Sequence, residues 1–248
     1  MKSIKLAVIG TIVMGTMVVG GNAFAADVGT RNTDAQVIFE ESTDIVDPVD
    51  PLAPSKPVIP KDPINPGTPV KPGTSGPLSL DYASSLNFGK QKITSIDQTY
   101  FAAPQTVTDK DGKNSRTTPL YAQVTDNRGT VAGWSLSVKQ NSQFKAGTDE
   151  LTGAKIEFLN GQVATDSIST VPSIVKPSFD LTADGNGAAT NIIGAKKNEG
   201  AGTFVYRFGD DTTKAKGVSL SVPGKTIKKK DVAYKTTLTW TLSDVPGV

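Results

Sequence analysis

From residue 78 onward, apolar and polar positions alternate with a period of two, the spacing that puts every second side chain on one face of a strand. In residues 133–138, Trp134, Leu136 and Val138 alternate with Ser135 and Ser137. In residues 234–242, Leu238, Trp240 and Leu242 share one face, and Thr237, Thr239 and Thr241 share the other. Both stretches predict half-buried strands, apolar on one side and hydroxyl-lined on the other. The same period groups Phe204, Tyr206 and Phe208, and again Val218, Leu220 and Val222. Strands are predicted over residues 78–82, 86–89, 98–103, 119–126, 132–139, 154–159, 203–208, 218–222 and 232–242. Gly- and Asp-rich turns at 109–114, 126–130, 184–187 and 209–213 separate them. Such spacing predicts an all-β fold: an antiparallel β-sandwich-like domain over residues 78–248, with two sheets and extra hairpins in one unit. Residues 160–200, dominated by Gly, Ala, Ser and Asn, are expected to form long loops with one short helix.

A different period precedes this domain. Prolines stand at 48, 51, 54, 57, 60, 63, 66, 69 and 72. Polyproline II has three residues per turn, so this spacing lines the prolines along one edge of an extended helix, ~75 Å long at ~3.1 Å per residue. Residues 48–77 are therefore expected to be a semi-rigid polyproline II linker. Residues 26–47 form an extended, acidic N-terminal arm in which only residues 36–41, QVIFEE, have strand character. That segment is either a strand that docks on a sheet edge or a disordered arm; the three adjacent apolar residues favour docking. Residues 1–25 read as a signal peptide, with Lys2 and Lys5, an apolar stretch over 6–19, and Ala23-Phe24-Ala25 before the cleavage point. After its removal no transmembrane segment is expected. The ending SDVPGV lacks the tail that covalent wall sorting uses.

Composition narrows the chemistry. The chain has no Cys and no His, which removes a Ser-His-Asp triad, a thiolate nucleophile, imidazole and thiolate metal sites, and disulfides. No cofactor is implied. The formal charge of +2 conceals an asymmetry: residues 26–50 hold seven acids and one base, whereas residues 78–248 hold sixteen acids and twenty bases. Scattered basic residues behind an export signal argue against nucleic acid. A carboxylate pair would suit glycan hydrolysis, yet no motif singles one out. Asp109-Lys110-Asp111-Gly112-Lys113-Asn114 departs from a calcium loop in its Gly position and lacks the closing Glu, and it reads as an Asx-Gly turn. A non-enzymatic protein is expected, with a hydrolase a distant third reading.

Both tryptophans stand in a Trp-x-Leu triplet, Trp134-Ser135-Leu136 and Trp240-Thr241-Leu242. With the opening GPLSLDYASSLNFG and the closing YKTTLTWTLSDVP, residues 76–248 resemble the WxL domain of secreted Gram-positive surface proteins. The resemblance implies an extracellular, cell wall-associated location and non-covalent attachment to the wall, with peptidoglycan as the ligand. It does not say which face Trp134, Leu136, Trp240 and Leu242 occupy. As glycan contacts the indoles would stack on sugars; as core they would fill space between sheets, and their Leu partners favour core. Lys225, Lys228, Lys229 and Lys230 lie on an expected hairpin loop and are candidate contacts for anionic wall polymers, or a solubilising tip. The rival reading is an interaction subunit or adhesin that docks other surface proteins.

Overall fold

The computed structural model describes residues 29–181 and 187–247. The expected signal peptide, and most of the turn at 184–187, lie outside the described residues. Residues 40–248 form one compact unit. Residues 29–39, in a separate unit, contain no strand and are exposed, and the expected docking segment 36–41 is likewise unpaired into any strand.

The compact unit is all-β, and among the described residues every strand pairing is antiparallel. The first sheet has the order β1 (Val49–Asp50), β2 (Ala53–Pro60), β5 (Gln105–Asp109), β6 (Arg116–Thr118). The second runs β12 (Gly161–Thr165), β16 (Gly202–Phe208), β7 (Leu120–Asp126), β3 (Leu78–Ala83). The third, which carries both Trp-x-Leu triplets, runs β13 (Ile174–Val175), β15 (Thr190–Ala195), β8 (Trp134–Gln140), β18 (Leu238–Ser243). The fourth runs β14 (Phe179–Leu181), β11 (Lys155–Phe158), β17 (Val218–Val222), β4 (Gln98–Phe101). A short pair, β9 (Lys145–Ala146) and β10 (Asp149–Glu150), completes the set.

Three of these sheets close on one core. Trp134 and Leu136 come from the third, Phe204, Tyr206 and Phe208 from the second, and Ile156, Phe158 and Leu220 from the fourth. Phe158 stacks on Phe179 with centroids 4.7 Å apart and packs against Phe208 at 4.6 Å. The alternation along the sequence survives intact in β8, whose odd-even pattern of buried and half-buried residues matches Trp-Ser-Leu-Ser-Val.

In β7 it does not survive: all seven residues are buried. The reason is the proline-rich segment, which is not the free polyproline II linker expected over residues 48–77. Its first part folds back as β1 and β2 and covers the outer side of the second sheet, where Val49, Tyr82, Tyr121 and Val205 form a second small core. Proline has no N–H to donate, so the residues between prolines make the bonds: Val58 N–H to the Pro48 carbonyl and Lys61 N–H to that of Thr106, both 2.8 Å. β2 lies between β1 and β5, but each pairs with only part of it, β1 at Ala53 and Pro57 and β5 at Val58–Pro60, so its prolines leave few ladder bonds unmade. Buried amides replace missing ladder partners. Gln123 accepts from Val49 N–H (2.7 Å) and donates to the Asp47 carbonyl (3.0 Å). Gln105 donates to the Lys61 carbonyl and accepts from the Tyr82 hydroxyl. The stretch after Pro60 is tied down as well, by Asn87 Nδ2 to the Pro63 carbonyl and by Thr74 N–H to that of Leu80.

Other expectations also change. Residues 86–89 form no strand, and the last strand begins at Leu238. Residues 160–200, expected as loops with a short helix, supply β12 to β15, and the one helical turn among the described residues is a 3-10 turn at Lys214–Lys216. These strands are short, and Phe179, Leu181, Ile192, Ile193 and Ala195 from them enter the core; β12 and β15 pair with the longer β16 and β8.

Candidate functional site

The two Trp-x-Leu triplets meet. β8 and β18 are neighbours, and their register sets Leu136 opposite Leu242 and Val138 opposite Trp240. Because the strands are antiparallel, the two indoles flank the leucine pair from opposite ends, all on the inner face of the third sheet. The burial differs. Trp134 is wholly enclosed, packs against Phe204, and donates its indole N–H to the Gly200 carbonyl at 2.9 Å. Gly200 has φ +77°, and a Cβ there would stand 2.6 Å from that indole nitrogen; glycine lets the two groups approach. Trp240 lies on the end strand of its sheet, is half-buried, and sets its edge against Phe158 at 6.1 Å and 90°. Leu136 is buried and Leu242 half-buried.

The outer face of the same sheet is polar. Register places Ser137 between Asn191 and Thr241, Lys139 beside Thr239, and Ser135 beside Ser243. These side chains are exposed or half-buried. Asn141 Nδ2 bridges the hydroxyls of Thr237 (2.9 Å) and Thr239 (3.0 Å), which extends the row along β18. At one end Gly247 closes over Gly194, its N–H bonded to the Ala195 carbonyl at 2.9 Å. The result is a sheet face of hydroxyls and amides that includes the Lys139 ammonium. Each can donate or accept with a polyhydroxylated ligand.

The four loop lysines do not form one free cationic tip, nor does their loop close a hairpin: β17 and β18 belong to different sheets, and the segment crosses between them. Lys228 donates into its own loop, to the carbonyls of Thr226 (2.9 Å), Pro223 (3.0 Å) and Gly224 (3.2 Å). Lys229 pairs with Asp149 at 2.6 Å, which raises its pKa, and Lys230 lies 3.6 Å from Asp231. Lys225 is exposed.

The Asp109 turn is the β5–β6 hairpin. Hydrogen bonds from Asn114 (2.7 Å) and Arg116 (2.6 Å) hold the Asp109 carboxyl below its ordinary range. Arg116 also grips buried Asp50 at 2.8 Å. A carboxylate kept charged by two donors is a poor general acid. Burial pushes the Asp81 carboxyl up, but Ser79, Thr125 and Gln123 all donate to it under the proline segment. Sequence reasoning missed these buried polar anchors; the alternation Gln105-Thr106-Val107-Thr108 was the one available signal.

Comparison with known proteins adds one match: the model of a family described as WxL domain surface cell wall-binding fits residues 26–246. Neither curated proteins nor solved structures gave a match.

Proposed function

The chain belongs to the WxL family of surface cell wall-binding domains, and from that premise we propose that it is attached non-covalently to peptidoglycan through the polar outer face of the Trp sheet. The coarser statement needs no proposal: this is a cell wall-associated surface protein, of a wall-binding family and not an enzyme family. The match over residues 26–246 carries the reading, because it takes in the proline-covered domain as a whole. The rows of Ser137, Thr239, Thr241 and Asn141 support the choice of face. They offer many weak donors and acceptors on an exposed sheet face, which fits a repeating glycan better than an enclosed small molecule. Lys139 is suited to the carboxylates of such a polymer, whereas Trp240, on the inner face against Phe158, lies away from that surface. The mild excess of lysine adds a salt-dependent share of attraction.

Sedimentation of residues 26–248 with purified peptidoglycan, before and after removal of teichoic acids and across a salt series, tests this. Binding to the stripped polymer is expected to persist at high salt. Ser137→Glu with Thr241→Glu is expected to weaken it at least ~10-fold with an unchanged circular dichroism spectrum. Equal binding by that folded variant would remove the face from the reading, and no binding to either preparation would remove peptidoglycan.

A further inference from the structure

The loop after β17 combines its lysines with apolar side chains that the proposed wall-binding face does not use. Residues 223–232 run beside residues 90–97, the stretch that leads into β4. Gly224 N–H donates to Asp97 at 2.8 Å, Lys228 reaches the Thr94 carbonyl at 3.4 Å, and Lys90 stands 3.6 Å from Asp231. On this joint surface Ile93, Ile96, Ile227 and Val232 are exposed, Ile227 by 82%. Lysines at 90, 92, 225, 228, 229 and 230 outnumber the aspartates at 97, 149 and 231. An exposed cluster of large aliphatics rimmed by charge is the pattern of an interaction surface. Its partner must be apolar and acidic at once.

The chain carries such a segment. Val37, Ile38 and Phe39 are exposed, Phe39 by 87%, and Asp34, Glu40, Glu41 and Asp44 flank them. The segment has strand-forming residues without a strand partner, and β4 is the end strand of its sheet, where an added strand can pair. We propose that residues 34–44 of one copy dock on the isoleucine–lysine surface of a second copy, the apolar run covering the isoleucines and the carboxylates facing the lysines. Exchange of arms closes a dimer, and head-to-tail docking builds longer assemblies. Either multiplies the weak contacts that hold the protein on a polymer.

Sedimentation velocity of residues 26–248 over a concentration series is the test. Self-association is expected, and Val37→Asp with Phe39→Asp, or Ile93→Asp with Ile227→Asp, is expected to leave folded monomers. Glu40→Lys with Glu41→Lys should weaken association about tenfold, as should Lys229→Glu with Lys230→Glu, and mixing these two variants should restore it. A wild type that stays monomeric overturns the proposal. So does association that survives the Val37/Phe39 variant. Monomeric protein whose isoleucine surface instead binds phosphatidylglycerol vesicles, with or without the arm changes, would assign the surface to lipid and overturn it too. A monomer that binds a labelled peptide of residues 33–44 only after the arm is deleted would place the arm on its own domain, and equally excludes the second copy.

Discussion

At the scale of single residues, two identical triplets have unequal roles because of where their strands stop. Trp134 sits on an inner strand with neighbours on both sides, so every part of its indole has a contact, and its N–H is committed to Gly200. Trp240 shares that inner face but lies on an end strand, so part of it remains in water. Trp134→Phe is expected to cost about 2–4 kcal/mol, from lost volume and an unpaired Gly200 carbonyl. Trp240→Phe should cost about 1–2 kcal/mol, because a half-exposed site leaves a smaller void. Urea unfolding of both variants checks the order. Loss of wall binding in a Trp134 variant therefore reports unfolding, whereas loss in a folded Trp240 variant would move the contact from the outer face to the inner edge of the sheet. The sequence made the pairing of Trp with Leu on one face legible. It did not reveal that Leu136 and Leu242 oppose each other, since register depends on which strands become neighbours.

Among the elements, the proline segment departs furthest from its sequence. A period of three describes polyproline II, and in isolation that is what such a stretch adopts. Here its backbone finds Gln123, Gln105 and Asn87, side chains that lie 24 to 76 residues further along. In return it shields Tyr82, Tyr121 and Val205. Residues 78–248 alone are thus expected to expose that small core. They should bind a hydrophobic dye and unfold at a lower urea concentration than residues 40–248. Equal midpoints for the two lengths would show that the segment does not stabilise the domain.

For the whole molecule, carboxylates set the acid behaviour in opposite senses. Thr212 and Thr213 donate to Asp210 in the turn before Lys214–Lys216 and lower its carboxyl from 3.8 to about 2. Folding favours the charged form, so this contribution is complete above pH 3.8 and is lost as pH falls through 2. Asp81 is raised by burial, so its contribution is present at low pH and is lost as pH rises through the folded value. The variant Asp210→Asn is expected to be less stable than wild type at neutral pH, and the two urea midpoints should converge as pH approaches 2. Parallel curves down to that pH would show that Asp210 adds no acid dependence.

The sequence by itself determined the strand class, the inward faces of β8, β16 and β17, the absence of thiol and imidazole chemistry, and the family resemblance. Each follows from local periodicity or composition, which a strand expresses wherever it is placed. Only the tertiary structure decided that the prolines belong to the domain and that Trp134 is interior while Trp240 lies on an end strand. The same holds for the lysine loop, which crosses between sheets beside residues 90–97 and leaves Ile93, Ile96 and Ile227 exposed. These outcomes depend on partners distant in the chain. A backbone N–H, a buried amide or an indole takes its role from the group that meets it, and pattern along one strand does not name that group.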